Sequence, residues 1–349
     1  MKFMYSKSVM AIATLAAATQ VGAAVPGYGG NVTGGGSATP IVVSNMADMQ
    51  TAINNYKTTT GLVIQYTGNQ DDLIAAAEAN PCGQWSKPVT EVSIKSKSNV
   101  TIIGADGSSA NFGIRMTGVN TNIIIRNMKI GMIPGGGNNG DAMGIEGGSG
   151  YWIDHNELFS QNIYCPGTPG DDTAFDGLMD IKKSVDNITV SYNYIHDHRK
   201  VGLDGSSDSD SAVRHITFAH NWYFNVGERL PLQRFGLTHE YNNYYNGVTV
   251  SGINVRMGGN ALIEGNYFEN AQNPVTSRDS SAIGFWDLRN NNILSPSDFG
   301  TYNITWVAST SSPTKDATDW TTTAPFPATL PYTYTVDPAL KVKCIAMAS

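Results

Sequence analysis

"NITVSYN", residues 187–193, and "HITFAHN", residues 215–221, follow one plan: apolar or β-branched residues alternate with polar ones, and an asparagine closes the run. Alternation with a period of two describes a strand with one buried face. The plan recurs as "TNIIIRN" ending at Asn127, "YWIDHN" at Asn156, "THEYNN" at Asn243 and "ALIEGN" at Asn266, so the six asparagines stand 29, 37, 28, 22 and 23 residues apart. A short fixed unit with insertions of uneven length fits a solenoid, in which strands stack in register and loops swell on one side. A sandwich would instead show turn signals every ~8–12 residues between antiparallel strands. The pattern therefore predicts an all-β chain wound as a right-handed parallel β-helix. Asparagines at one corner would stack amide on amide, and asparagine's tolerance of left-handed backbone suits a corner.

A solenoid needs covered ends. "SNMADMQTAINNYK", residues 44–57, predicts an N-terminal capping helix with Ser44 as N-cap and with Met46, Met49, Ile53 and Tyr56 on one face. The Thr/Ser/Pro-rich stretch 309–335 reads as long surface loop. At the start, Lys2 and Lys7 precede an apolar run and the small residues Ala23 and Ala24, the pattern of a signal peptide over residues 1–24. That run is too short to span a membrane. Residues 25–349 then form a single domain, read as a secreted, soluble monomer.

The whole chain carries a formal charge of −7, and loss of the two leader lysines makes it more negative still. With no basic stripe to offset that charge, nucleic acid is excluded as a partner. Three cysteines in an exported chain suggest one disulfide and one thiol left over. Cys82 and Cys165 are the expected pair, because Cys344 sits five residues from the end with no cysteine near it.

The longest insertions fall between Asn127 and Asn193, where "GGGNNGDAMGIEGG" contributes Asp141 and "DDTAFDGLMDIKK" contributes Asp176 and Asp180. Three carboxylates gathered by stacking, with only Lys182 and Lys183 close in sequence, would repel one another unless a cation lay among them. All-oxygen ligands of this kind suit Ca2+ or Mg2+ and not zinc. The plain alternative is three solvated loop acids. "HDH" at residues 196–198 lacks a third ligand at zinc spacing, and "DGSSDSD" at 204–210 lacks the closing glutamate of a calcium loop, so a polar turn is expected there. The glycine-rich insertion has no Gly-Lys-Ser/Thr to make a phosphate loop. Later come Lys200, Arg229 and Arg234, cations on consecutive turns after the acids. "GERLPLQRFG", residues 227–236, sets two arginines five apart around Pro231, which has no N–H to give a ladder. Cations beside a metal-bearing acid cluster make a surface able to grip a polyanion that an acidic protein would otherwise repel.

"YWIDHNELF", "DGLMDIKK", "YNYIHDHRKVGLDGSS" and "RLPLQRFG…HEYNNYY" together resemble, in order, the motifs of the family 1 polysaccharide lyases, closest to secreted bacterial pectate lyases of the C type. The resemblance runs from about residue 40 to near the C-terminus. It implies a right-handed parallel β-helix that cleaves polygalacturonate in pectin by Ca2+-dependent β-elimination. By matching motif, Asp141, Asp176 and Asp180 take the places of calcium ligands, Asp176 standing where close relatives often have Glu. Lys200 and Arg234 match residues that bind the uronate carboxylate, Arg229 matches the catalytic base, and Lys182 and Arg256 match positions that contact the sugar chain. An arginine can accept a proton only in its neutral form, so an alkaline optimum is expected. Asn139 departs from the Asp that close relatives carry two residues before the Asp141 position, which bears on a second calcium. "WIDH" at 152–155 belongs to the same resemblance but reads as a structural network away from the cleft. The competing readings are a pectin lyase acting on methyl-esterified chains, which has no need of the acid cluster, and a non-catalytic β-helix that only binds pectin.

Overall fold

The computed structural model describes residues 27–57, 60–137, 139–167 and 174–348; the leader assigned to residues 1–24 lies outside them. The chain winds as a right-handed parallel β-helix with three faces: a ten-stranded sheet, a seven-stranded sheet and a nine-stranded sheet. One full turn runs from Val185–Ser191 on the first face to Tyr194–Lys200 on the second and Leu203–Asp204 on the third. The next turn stacks in register on it, pairing Ile188 with Ile216, Tyr194 with Trp222 and Leu203 with Leu232, all parallel. Every pairing between named strands is parallel among the described residues, except the short contact of Val275–Ser277 with Lys315–Asp316.

Alternation sends one set of side chains into the bore. Ile123, Ile125, Ile153, Ile188, Val190 and Ile216 belong to a continuous buried column there, and Tyr223, Tyr245 and Phe268 stack as parallel rings at 4.9 and 4.7 Å between centroids. Identical or similar residues stack because consecutive turns lie only about 4.8 Å apart. The end of the bore is closed by helix Met46–Asn55, which buries Met49 and Ile53. Its N-cap is Asn45 and not Ser44: Asn45 has extended backbone, and its Oδ1 accepts from the Asp48 N–H at 2.9 Å. Serine and asparagine are comparable caps, so composition alone leaves the boundary one residue loose.

The asparagine corner is present, shifted from its sequence reading. Asn156, Asn193, Asn221, Asn243, Asn266 and Asn291 form the ladder, each backbone N–H and Nδ2 donating to Oδ1 of the next, as in Asn193 to Asn221 at 3.0 and 2.9 Å. Asn127 is not a member; Met128 takes the ladder position, its N–H donating to Asn156 Oδ1 at 3.0 Å. The left-handed residue is one place earlier than expected at His155, Tyr192, His220, Asn242 and Gly265, and Asn290 likewise precedes Asn291, whereas Asn127 itself bends as expected, with φ from 50 to 62° throughout. The chain turns on that residue, and the asparagine after it is free to hydrogen-bond along the axis. Stretch 309–335 is largely irregular, although Trp320 turns into the core and donates Nε1–H to Ile293 O at 2.7 Å.

Candidate active site

At the far end of the seven-stranded face from the asparagines, each turn passes through a loop before entering the nine-stranded face. The candidate residues lie along this line and across the nine-stranded face to the ends of its strands. Asp141 precedes strand Met143–Glu146, Asp176 precedes and Asp180 sits within Met179–Ile181, and Lys182 follows it. Lys200 ends Tyr194–Lys200, Arg229 lies between Trp222–Glu228 and Leu232–Arg234, and Arg234 and Arg256 are register partners on adjacent turns. The odd offset between the two arginines is resolved by backbone. Arg229 occupies left-handed space at φ 70° between the two strands, so the strand carrying Arg234 starts afresh after it.

Asp141 and Asp180 converge. A Cβ built on Gly177 would lie 2.6 Å from Asp180 Oδ1 and 2.8 Å from Asp141 Oδ1, so only glycine leaves the two oxygens room there. Lys182 Nζ stands between their other oxygens, 2.9 Å from Asp180 Oδ2 and 3.2 Å from Asp141 Oδ2. Asp176 is turned further along the groove toward Lys200, 3.8 Å away. Burial, then the neighbouring Asp180 and Asp176 charges, push the Asp141 carboxyl up to about 8 against the pull of Lys182. Asp176 is raised for the same reasons, with Lys200, Lys182 and Arg229 opposing. Burial works against the Lys182 ammonium, yet Asp180 and Asp141 hold it above its ordinary value. This is a cluster short of positive charge.

These residues fit a hard divalent cation. Asp141 Oδ1 is buried and has no hydrogen-bond partner, it faces Asp180 Oδ1 across Gly177, and every available donor is oxygen. The fit is an open one: among the described residues no three acids, imidazoles or thiols close around a single point, because Asp176 points to Lys200 and Lys182 already occupies one side. Asn139 is exposed.

The support beneath Asp176 was not legible beforehand. His198, from "HDH", is fully buried and its Nε2–H donates to the Asp176 carbonyl at 2.9 Å, while Ser160 hydrogen-bonds Nδ1. Burial lowers its pKa to about 4, so it is neutral and structural. The Cys82–Cys165 disulfide is formed, with Cys344 exposed and free, and Cys165 packs with Ile74, Phe159, Ala174 and Phe175 directly behind Asp176. The bridge therefore staples the loop that carries a candidate ligand. "WIDH" lies elsewhere: Asp154 accepts from Ser191 Oγ at 2.7 Å and pairs with Arg126 and His155 on the ten-stranded face.

Arg234 and Arg256 are held by loops not singled out for chemistry. Arg234 Nε donates to Asp208 Oδ1 at 3.0 Å and Nη1 to Gly205 O at 2.8 Å, so "DGSSDSD" is a polar turn with a task and not a calcium loop. Arg256 Nη1 donates to Asp279 O at 2.9 Å, and burial together with Arg234 lowers its pKa to about 10.

The profile of the pectate lyase family matches residues 3–339 of the chain. The chain is 50% identical to pectate lyase C of Dickeya chrysanthemi over 338 residues, covering 94% of this chain and 89% of that protein. Among solved structures it superposes on pectate lyase C of Erwinia chrysanthemi at pH 9.5 with 30 mM Ca2+ with a TM-score of 0.85, at 49% identity and 93% coverage of each chain. A lysine-for-arginine mutant of pectate lyase C in complex with pentagalacturonic acid gives a TM-score of 0.87 at 46% identity, covering 93% of this chain and 94% of that one.

Proposed function

The chain belongs to the pectate lyase family, and on that premise we propose that it cleaves de-esterified polygalacturonate at the groove of Asp141, Asp176, Asp180, Lys200, Arg229 and Arg234, in a calcium-dependent β-elimination. One observation carries this reading: an acid cluster short of positive charge runs directly into a row of cations, Asp176 lying within the field of both Lys200 and Arg229. Asp141 and Asp180, with Asp176 on the approach, hold calcium. When bound, the ion supplies positive charge that makes a proton α to a ligated carboxylate easier to remove.

The chain's own groups do the rest. Lys200 and Arg234 hydrogen-bond the uronate carboxylate and stabilise the negative charge that grows on it as the C5 proton leaves. Arg229 takes that proton. The C5–H electron pair becomes the C4=C5 double bond while the bond from C4 to the glycosidic oxygen breaks; that oxygen leaves with the bond's electron pair and takes up a proton to end as a hydroxyl, and no water is consumed. Lys182 and Arg256 contact neighbouring sugars. The enzyme is exported: the leader precedes a chain whose disulfide belongs in an oxidising compartment.

The acid cluster also argues against a pectin lyase, since an esterified substrate has no carboxylate charge to bridge through a cation. Absorbance of unsaturated product from polygalacturonate decides the matter. Excess chelator should abolish it and added Ca2+ restore it, with highly esterified pectin the poorer substrate. Undiminished activity in chelator would remove the metal from the reading, and a preference for esterified pectin would make the chain a pectin lyase.

A further inference from the structure

Asp208 uses both of its oxygens fully. Oδ1 accepts from Arg234 Nε at 3.0 Å and from Ser280 Oγ at 2.7 Å; Oδ2 accepts from the Ser281 N–H at 2.8 Å and its Oγ at 3.0 Å. Two loops 72 residues apart in sequence, 204–210 and 278–281, thus meet on one carboxylate. Ser280 Oγ also lies 3.5 Å from Arg256 Nη1, and Arg256 is the register partner of Arg234. A guanidinium offers carboxylates two faces, Nε with Nη2 or Nη1 with Nη2. With Nε held by Asp208 and Nη1 donating to the Gly205 carbonyl, the first face is closed, and Nη2 makes no hydrogen bond among the described residues.

We propose that Asp208 is a positioning residue for the lyase reaction: it fixes the Arg234 fork end-on toward the uronate carboxylate and locks it, through Ser280 and Ser281, to the loop that holds Arg256. The inference rests on Arg234 gripping the substrate carboxylate. Two effects of Asp208 oppose each other. Its negative charge disfavours a polyanion nearby, whereas its hydrogen bond removes the rotamer freedom that Arg234 would otherwise lose on binding. Orientation dominates, because that charge is already met by Arg234 and three further donors and its field is largely spent locally.

Steady-state kinetics on polygalacturonate at saturating Ca2+, with Tm measured on each variant, separate the possibilities. Asp208→Ala should lower kcat/KM about tenfold, chiefly through KM, the scale of one freed long side chain plus one lost charge-assisted bond. Asp208→Asn keeps an acceptor for Nε and should recover most of that loss. In an Arg234→Lys background the alanine change should have no further effect on kcat/KM, since its partner is gone. The proposal is overturned if alanine and asparagine both leave kcat/KM unchanged or raise it, which is the result charge alone would give. It is overturned equally if Asp208→Ala and Arg234→Lys multiply independently, or if only Tm moves. Should Arg234→Lys itself retain full kcat/KM, the role of Arg234 fails, a result distinct from all of these.

Discussion

Arg229 sits in left-handed backbone at φ 70°, a conformation that long side chains avoid, and its carbonyl is pinned by the Gly202 N–H at 3.0 Å from the turn carrying Lys200. A residue held in this way is fixed relative to the next turn, which is what proton transfer demands of a base. Arg229→Lys keeps the charge but cannot put a nitrogen where the guanidinium had one. Its kcat should fall by about 10²–10⁴ with the circular dichroism spectrum unchanged. Arg234→Lys should differ in kind, raising KM as well as lowering kcat, because in the proposed reaction it loses a fork that would bind both the substrate and the charge formed on it. A folded Arg229→Lys enzyme with substantial kcat would mean that charge suffices at this position and that the base is another group. Both arginines were visible in the sequence as types and spacing; their carriers were not. Asp208 reaches Arg234 from 26 positions away, and His198 supports Asp176 from 22 away, contacts created only by stacking.

At the level of the element, the repeating strand was readable because alternation is a local property, and the corner was read one residue out because it is not. A sequence shows that asparagine recurs, but which of two adjacent residues bends and which bonds is fixed by the turn above. Thus "IIIRN" ends on a bending Asn127 with Met128 in the ladder, while Asn291 joins the ladder from "RNNN", where three asparagines hide the register. Asn221 shows what membership is worth. Its Oδ1 accepts from the Asn193 N–H and Nδ2, and its Nδ2 donates to Val190 O at 3.0 Å and Asn243 Oδ1 at 2.9 Å, all within fully buried surroundings. Asn221→Ala leaves several of those groups unsatisfied and should cost about 2–4 kcal/mol in denaturant unfolding. Because the ladder and the groove lie at opposite ends of the seven-stranded face, the kcat of the folded variant should match the parent's. A loss below 1 kcal/mol would mean that water replaces the amide at little cost.

At the scale of the whole molecule, the bore holds something no repeat predicts: two acids among the apolar columns. Asp204 and Glu240 are fully buried, and among the described residues neither carboxylate makes a hydrogen bond of good geometry, the Thr238 hydroxyl lying near Glu240 but donating to Gln233 Oε1. Burial raises Asp204 to about 7, with Asp180 and Asp210 adding to the shift and Arg214 opposing it; burial raises Glu240 to about 8, with the Thr238 side chain opposing and Asp204 contributing. In the unfolded chain both would ionise near their ordinary values of 3.8 and 4.5. Between those limits the folded protein binds more protons than the unfolded one, so the stability they confer is complete below about pH 4 and is lost as pH climbs through 7 and 8. Acids with lowered values, such as Asp197 beside His196 and Glu146 beside Lys183, act in the opposite direction, but their contribution is lost only in acid, as pH falls through their depressed folded values. Asp141 in the groove, raised to about 8, therefore shares the alkaline limb of the stability curve with the two acids of the bore, and that limb runs against the proposed reaction, whose arginine base would favour high pH. Glu240→Gln removes one ionisation without removing volume. Measured from pH 5 to pH 9, the parent's Tm should fall by on the order of 5 °C more than that of the variant, while kcat/KM stays the same because Glu240 lies in the bore and not in the groove. Parallel Tm profiles for the two proteins would show that Glu240 does not ionise across this range, and that the alkaline loss has another source.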